Sequence, residues 1–156
     1  MIQRVKKQNF SLKNLNIKIA IVKSLYYEDL TSSMEEACVK TLMDSGISGD
    51  NIKTFSVPGS WELPIMVDKV ARLKKFDGIV VFGVIIKGET YHFELIAHEC
   101  TRALMDISLK YQIPVTFEVL VTHNLEQAKK RATEKNNKGI EAAQTVLQTI
   151  NALKTS

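Results

Sequence analysis

Cysteine is scarce in this chain: Cys38 and Cys100 are the only two. They stand far apart, each inside a helical pattern, so there is neither a disulfide framework nor a metal-spaced Cys/His cluster to read. Both are expected as reduced, packed thiols. Long apolar runs are missing as well. No window approaches the roughly 18 consecutive apolar residues of a membrane-spanning helix, and Arg4, Lys6 and Lys7 have no apolar stretch behind them that would make a secretory signal. Charge of one sign is not concentrated either. The 21 Lys+Arg and 17 Asp+Glu leave only +4, and the signs alternate along the chain, unlike the basic stripe of a nucleic-acid binder. Also absent are the GxxxxGK(S/T) and GxGxxG loops of nucleotide binders and the GxSxG elbow of hydrolases. The expectations are a cytoplasmic protein with no nucleic-acid partner, no membrane and no metal.

What is present is an alternation of short β-branched runs with longer stretches of helical period. Strands are predicted over 17–22, 52–57, 78–82 and 114–120. Helices are predicted over about 31–45, 61–73 and 91–111, with a closing pair after Leu120. In the third helix Phe93, Ile96, Ala97, Leu104, Ile107 and Ser108 recur near one face. Thr31 is the expected cap of the first helix, and Gly46 or Gly49 its stop. Ser60 is the expected cap after Pro58-Gly59, and Asn136-Asn137-Lys138-Gly139 divides the last helical region. Such alternation implies parallel βαβ units. The expected fold is α/β, a three-layer sandwich with a flavodoxin-like, four-stranded parallel sheet and helices on both faces. At 156 residues a single domain over 1–156 is expected, with 1–14 as an N-terminal arm.

In such sheets ligands bind beyond the carboxyl ends of the strands, so the loops there carry the chemistry. After the first strand, Tyr26 and Tyr27 offer aromatic surface for a planar ring. After the second, Val57-Pro58-Gly59-Ser60-Trp61-Glu62-Leu63-Pro64 exposes free amides at a helix start, with Glu62 beside them as an acceptor. The third loop, Gly83 to Glu94, is the richest. Gly88 permits a turn, Glu89 and Thr90 open a helix whose free amides favour an anion, and His92 lies in its first turn, where an imidazole can exchange protons near neutrality. Strand three ends in Phe82-Gly83 rather than an Asp, which argues against a phospho-receiver. After the fourth strand Arg131 offers a two-toothed phosphate donor, although Lys129 and Lys130 beside it also fit a solvated basic face.

These loops together resemble the lumazine synthase family of riboflavin biosynthesis. Its pattern V-P-G-(A/S)-(F/W)-E-(L/I)-P occurs at Val57–Pro64, and G-x-V-I-(R/K)-G-x-T-x-H-(F/Y), with Ile85 for Val, at Gly83–Phe93. P-V-x-F-x-(V/I)-(L/V) follows at Pro114–Leu120, L-E-Q-A-x-x-R at Leu125–Arg131 and N-K-G at Asn137–Gly139. The resemblance implies condensation of a ribitylated diaminopyrimidine with a four-carbon keto-phosphate, without a cofactor, in a homopentamer that in some members assembles further. By position it implies that Tyr26 stacks on the pyrimidine, and that Ser60, Trp61 and Glu62 hold the ribityl chain and ring edge. Val84, Ile85 and Ile86 would offer backbone groups to the ring. Glu89, Thr90 and Arg131 would bind phosphate and His92 would transfer protons. Phe117 would close the pocket from a neighbouring subunit, with Lys138 nearby, and the N-terminal arm, with Ile2, Val5, Phe10 and Leu12, would add a strand to a neighbour's sheet.

Some residues depart from the family. Its first loop usually reads Arg-Phe-Asn or Arg-Trp-His, against Leu25-Tyr26-Tyr27 here, and Glu118 replaces a frequent Gly. His123 stands where an acidic residue is common, and 133–136 lacks the Gly-rich turn of capsid-forming members. Two alternatives remain at this point: a related pentameric riboflavin synthase, and a non-catalytic lumazine- or flavin-binding shell protein.

Overall fold

The computed structural model describes residues 16–133 and 135–156, so the expected N-terminal arm lies outside the described residues. Four strands, β1 (Ile19–Ser24), β2 (Ile52–Val57), β3 (Gly78–Ile86) and β4 (Val115–Thr122), form one parallel sheet in the order β2-β1-β3-β4. All of β1 is buried, as is all of β3 except Ile86. A parallel strand covered on both faces needs such an unbroken apolar run rather than alternation. One face is covered by α1 (Glu28–Asp44), α4 (Leu125–Ala132) and α5 (Lys138–Thr155), the other by α2 (Leu63–Arg72) and α3 (His92–Tyr111). Alternate strand residues feed the two cores: Ile19, Ile21, Val80 and Phe82 pack under α1 and α5, whereas Ala20, Val22, Ile79 and Val81 pack under α2 and α3. The three-layer α/β sandwich with a flavodoxin-like sheet is therefore the observed architecture. Among the described residues, no helix is long and apolar enough to cross a membrane.

Several boundaries differ from the sequence reading, each for a local reason. β3 runs past Gly83 to Ile86 because Gly83–Ile86 pair with Val119–Thr122 of β4. Gly83 is there for close approach rather than for a turn: a Cβ on it would stand 2.8 Å from Ser60 Oγ and 3.0 Å from Leu63. Helix α1 begins at Glu28, so Thr31 does not cap it. The Thr31 hydroxyl instead donates to the Ser24 carbonyl at 2.8 Å, fastening the helix to the end of β1. The position before α1 is Tyr27, with left-handed backbone (φ 56°) and no side-chain cap. Ser60 does not cap either. It is buried in a short 3-10 turn (Ser60–Glu62), and the Glu62 carboxylate accepts the Gly59 N–H at 3.0 Å. Gly46, at φ 100°, ends α1 as expected, with the Ile47 N–H donating back to the Leu42 carbonyl. Helix α3 opens at His92, leaving Glu89 and Thr90 in the bend before it.

The break between α4 and α5 ends at Asn137, so Lys138 and Gly139 are already helical. Asn137 Oδ1 accepts from the Gly139 N–H at 2.8 Å, while its Nδ2 donates to the Ala132 carbonyl and to that of Ser33 at 3.2 Å. One amide thus caps α5 and ties the turn to α1. At position 139 a Cβ would fall 1.9 Å from the Met34 carbonyl oxygen, so only glycine lets α5 cross α1 this closely.

Both cysteines are free and buried. Burial pushes the Cys38 thiol up to about 12, with the charges of Glu35 and Glu118 adding to it, and pushes Cys100 up to about 11. These thiols stay protonated and serve as packing.

Glu118 points from β4 to the α5 side of the sheet. Partial burial pushes its carboxyl from an ordinary 4.5 up to about 7; the Lys138 charge opposes the shift and that of Glu141 adds to it. An acid that binds its proton more tightly when folded costs no stability while protonated in both states. The penalty grows as pH rises from about 4.5 and is complete above about 7. Glu118→Gln is accordingly expected to stabilise the fold at pH 8 by roughly 2 kcal/mol and to make little difference at pH 4, as read by chemical denaturation at both values. A gain of equal size at both would show that the buried charge is not responsible.

Candidate functional site

The sheet order reverses between β1 and β3: the chain passes from β1 outward to β2, then back across to β3 and on to β4. At that reversal the loops beyond the carboxyl ends part and leave a cleft of about 540 Å³. Its walls come from three loops. Tyr26 and Tyr27 follow β1, residues 59–62 follow β2, and Val84 to Gly88 with Thr90, His92, Phe93 and Ile96 end β3 and open α3.

The first two loops are held together by the backbone. The Leu25 N–H donates to the Val57 carbonyl at 2.8 Å and the Tyr26 N–H to that of Pro58 at 3.0 Å. Tyr26 is 66% exposed and Trp61 60%. Two large aromatic side chains left in water beside a concave pocket are a surface for a flat ligand. Ser60 is buried at the base of the second loop and Glu62 half-buried behind it, with one carboxylate oxygen engaged by Gly59. Val84 and Ile85 at the end of β3 line the cleft and are buried, while Ile86 is half-exposed.

The stretch of lining after β3 is polar. The Lys87 N–H donates to the Thr122 carbonyl at 2.8 Å, which fixes the exit from β3. Beyond it Gly88, Thr90 and His92 are exposed, and His92 is the first residue of the twenty-residue helix α3. Free amides at that helix start, the Thr90 hydroxyl and the Lys87 side chain make this part of the cleft favourable to an anion. Glu89 lies in the same bend, exposed and outside the cleft lining.

The cleft thus brings together nine of the thirteen residues singled out in the sequence: Tyr26, Ser60, Trp61, Glu62, Val84, Ile85, Ile86, Thr90 and His92. Three others lie outside its lining, on and around β4. Phe117 is 39% exposed on β4, which is an edge strand. Arg131 sits in α4, half-buried, with Nη1 on the Gln127 carbonyl at 2.9 Å and no carboxylate partner among the described residues. Lys138 opens α5 and pairs with Glu141 at 2.8 Å. The structure adds lining residues that the sequence reading did not mark as site residues, chiefly Lys87, Phe93 and Ile96. Phe93 and Ile96 belong to the apolar face of α3 and pack on the core under α2 and α3, while also lining the cleft. Lys87 sits inside the family motif, which was the available signal.

The chain matches the family model for 6,7-dimethyl-8-ribityllumazine synthase over residues 16–154. A protein of Ruthia magnifica subsp. Calyptogena magnifica named 6,7-dimethyl-8-ribityllumazine synthase is 40% identical over 137 residues, spanning 84% of this chain and 82% of that one. Among solved structures, a de novo designed Rossmann fold protein shares 13% identity with a TM-score of 0.42, over 73% of this chain and 92% of the design. With the family model matching nearly all of the described residues, this chain belongs to the 6,7-dimethyl-8-ribityllumazine synthase family.

Proposed function

We propose that the protein condenses 5-amino-6-(D-ribitylamino)uracil with 3,4-dihydroxy-2-butanone 4-phosphate to 6,7-dimethyl-8-(D-ribityl)lumazine, releasing phosphate and water. Family membership makes the chain a transferase of riboflavin biosynthesis, and this reaction is the penultimate step of that route. The observation that carries the detailed reading is the make-up of the cleft. Its walls combine exposed aromatics, Tyr26 and Trp61, from the first two loops with the anion-favouring start of α3, which carries Thr90 and His92. One substrate is a flat heterocycle and the other a phosphate ester, so the polarity of the cleft matches the pair.

The reaction needs no covalent nucleophile from the protein and no cofactor. The free amine of the pyrimidine attacks the ketone, and loss of water gives an imine. Proton loss and departure of phosphate leave an enol, which tautomerises. The ribityl-bearing nitrogen then closes the ring with loss of a second water. In this reading Tyr26 stacks on the pyrimidine, Ser60, Trp61 and Glu62 hold the ribityl chain and ring edge, and Val84, Ile85 and Ile86 offer backbone groups to the ring. Glu89 and Thr90 form the bend of the phosphate loop, Glu89 with its side chain outside the cleft lining, and His92 moves protons. Most of the acceleration comes from holding both substrates in register.

Arg131, Phe117 and Lys138 complete the site of a neighbouring subunit in this reading, which accounts for their absence from the lining of their own cleft. Exposed apolar side chains on α3 support an oligomer. Tyr91 and Leu95 at the start of the helix and Met105 and Leu109 near its end lie on one side, 60–77% exposed, with His98 and the ion-paired Arg102 between them, and such exposed apolar side chains fit a contact with another subunit. The assembly proposed is a pentamer of single-domain subunits in the cytoplasm, a closed ring in which each contact completes one site.

Two substitutions test the roles. His92→Ala is expected to lower kcat about 100-fold with pyrimidine affinity retained; an unchanged single-turnover rate would remove His92 from the chemistry. Arg131→Ala is expected to raise the KM for the keto-phosphate roughly tenfold or more with pyrimidine binding intact, and Arg131→Lys to restore only part of it. Wild-type kinetics in Arg131→Ala would return that residue to a solvated helix face.

A further inference from the structure

Tyr27 occupies a position that disfavours it. Its backbone is left-handed, φ 56° and ψ 50°, and it precedes α1 without supplying a side-chain hydrogen bond to the helix start. A non-glycine residue there costs about 1–2 kcal/mol, and Asn tolerates the conformation better than an aromatic does. A short polar residue before a helix can also cap it. An aromatic ring that forgoes both advantages has another use in the site.

The ring's surroundings show what that use is. Tyr27 is half-buried against the core under α1 and α5 while also lining the cleft. The Tyr26 and Tyr27 rings meet edge-on, with centroids 4.9 Å apart and planes at 78°, the favoured geometry for an aromatic pair. Tyr26 is 66% exposed, and its backbone is anchored through the Pro58 carbonyl. A side chain so exposed has little else to hold its ring. Tyr27, seated in the core, limits where the Tyr26 ring can go.

We propose that Tyr27 is a positioning residue for the planar-ring wall of the cleft: its core-anchored ring holds Tyr26 edge-on, so that Tyr26 is ordered before the heterocycle arrives. The inference rests on the reading of Tyr26 as the stacking residue. Ordering the platform in advance lowers the cost of binding the ring and leaves the phosphate loop untouched. The effect therefore falls on pyrimidine affinity and not on the keto-phosphate.

Fluorescence titration with 6,7-dimethyl-8-ribityllumazine tests it, together with KM values for both substrates. Tyr27→Leu and Tyr27→Met remove the edge contact but keep apolar bulk on the core, and the unbranched Met serves if the Leu variant folds poorly. Both are expected to bind the lumazine about three- to tenfold more weakly, with the KM for the keto-phosphate unchanged. Tyr27→Phe, which keeps the ring, is expected within about twofold of wild type. A merely structural role would weaken both substrates alike, in step with loss of thermal stability, and that result overturns the proposal. So does wild-type lumazine affinity in Tyr27→Leu and Tyr27→Met while Tyr26→Ala has lost it. Wild-type affinity in Tyr26→Ala would refute the stacking reading itself, and this inference with it.

Discussion

The reversal of strand order between β1 and β3 governs the rest of the molecule. Two crossovers leaving in opposite directions force the loops after neighbouring strands apart, and the cleft is the space they vacate. Because the strands are parallel, their carboxyl ends all emerge on the same side. An aromatic loop, a glycine turn with a carboxylate clasp and a helix amino end then converge there. Each was selected for its local conformation, yet the sheet alone decides that they face one another. Gly83 shows how tight this constraint is: a Cβ there would stand 2.8 Å from Ser60 Oγ and 3.0 Å from Leu63, so a side chain would force these neighbours to shift.

The opposite face of the sheet does a different job. There Asn137 and Gly139 let α5 cross α1 at backbone contact and place Lys138 at the head of α5. The same layer holds Arg131 at the end of α4 and leaves Glu118 half-buried under α5. These groups surround β4, not the cleft between β1 and β3. Arg131 and Lys138 thus stand away from the chain's own pocket, where we propose that they serve something alongside. In the proposed assembly that is the phosphate loop of an adjacent cleft.

Much of this was legible in the sequence because the central strands β1 and β3 carry long apolar runs and helix starts carry polar punctuation. The loops after the strands led to Tyr26, Ser60, Trp61, Glu62, Thr90 and His92, whereas Val84, Ile85 and Ile86, inside β3, came from the family resemblance alone. What escaped was tertiary in origin. Gly83 read as a strand end because a glycine inside a strand and one in a turn look alike until the approaching Ser60 is seen. Thr31 read as a cap because it precedes an apolar period, whereas Tyr27, a poor residue for the task, holds the position before the helix. Lys87 was overlooked as a site residue because its motif was read for the glycine and histidine around it. Separation of Arg131, Phe117 and Lys138 from the cleft is invisible to spacing, since it depends on which side of the sheet β4 occupies.

The central claim of the account is that each working site combines the cleft of one subunit with the β4-side residues of the next. Mixing subunits tests it most directly. His92→Ala and Arg131→Ala chains are unfolded together in equal amounts, refolded, and assayed at low keto-phosphate concentration, where each variant alone is slow. Shared sites predict recovery to about a quarter of wild-type activity, because random closed rings juxtapose an intact cleft with an intact Arg131 at about that fraction of contacts. Activity no higher than the mean of the two parents, in rings shown by mass to be mixed, would contradict the account and place the whole site within one chain.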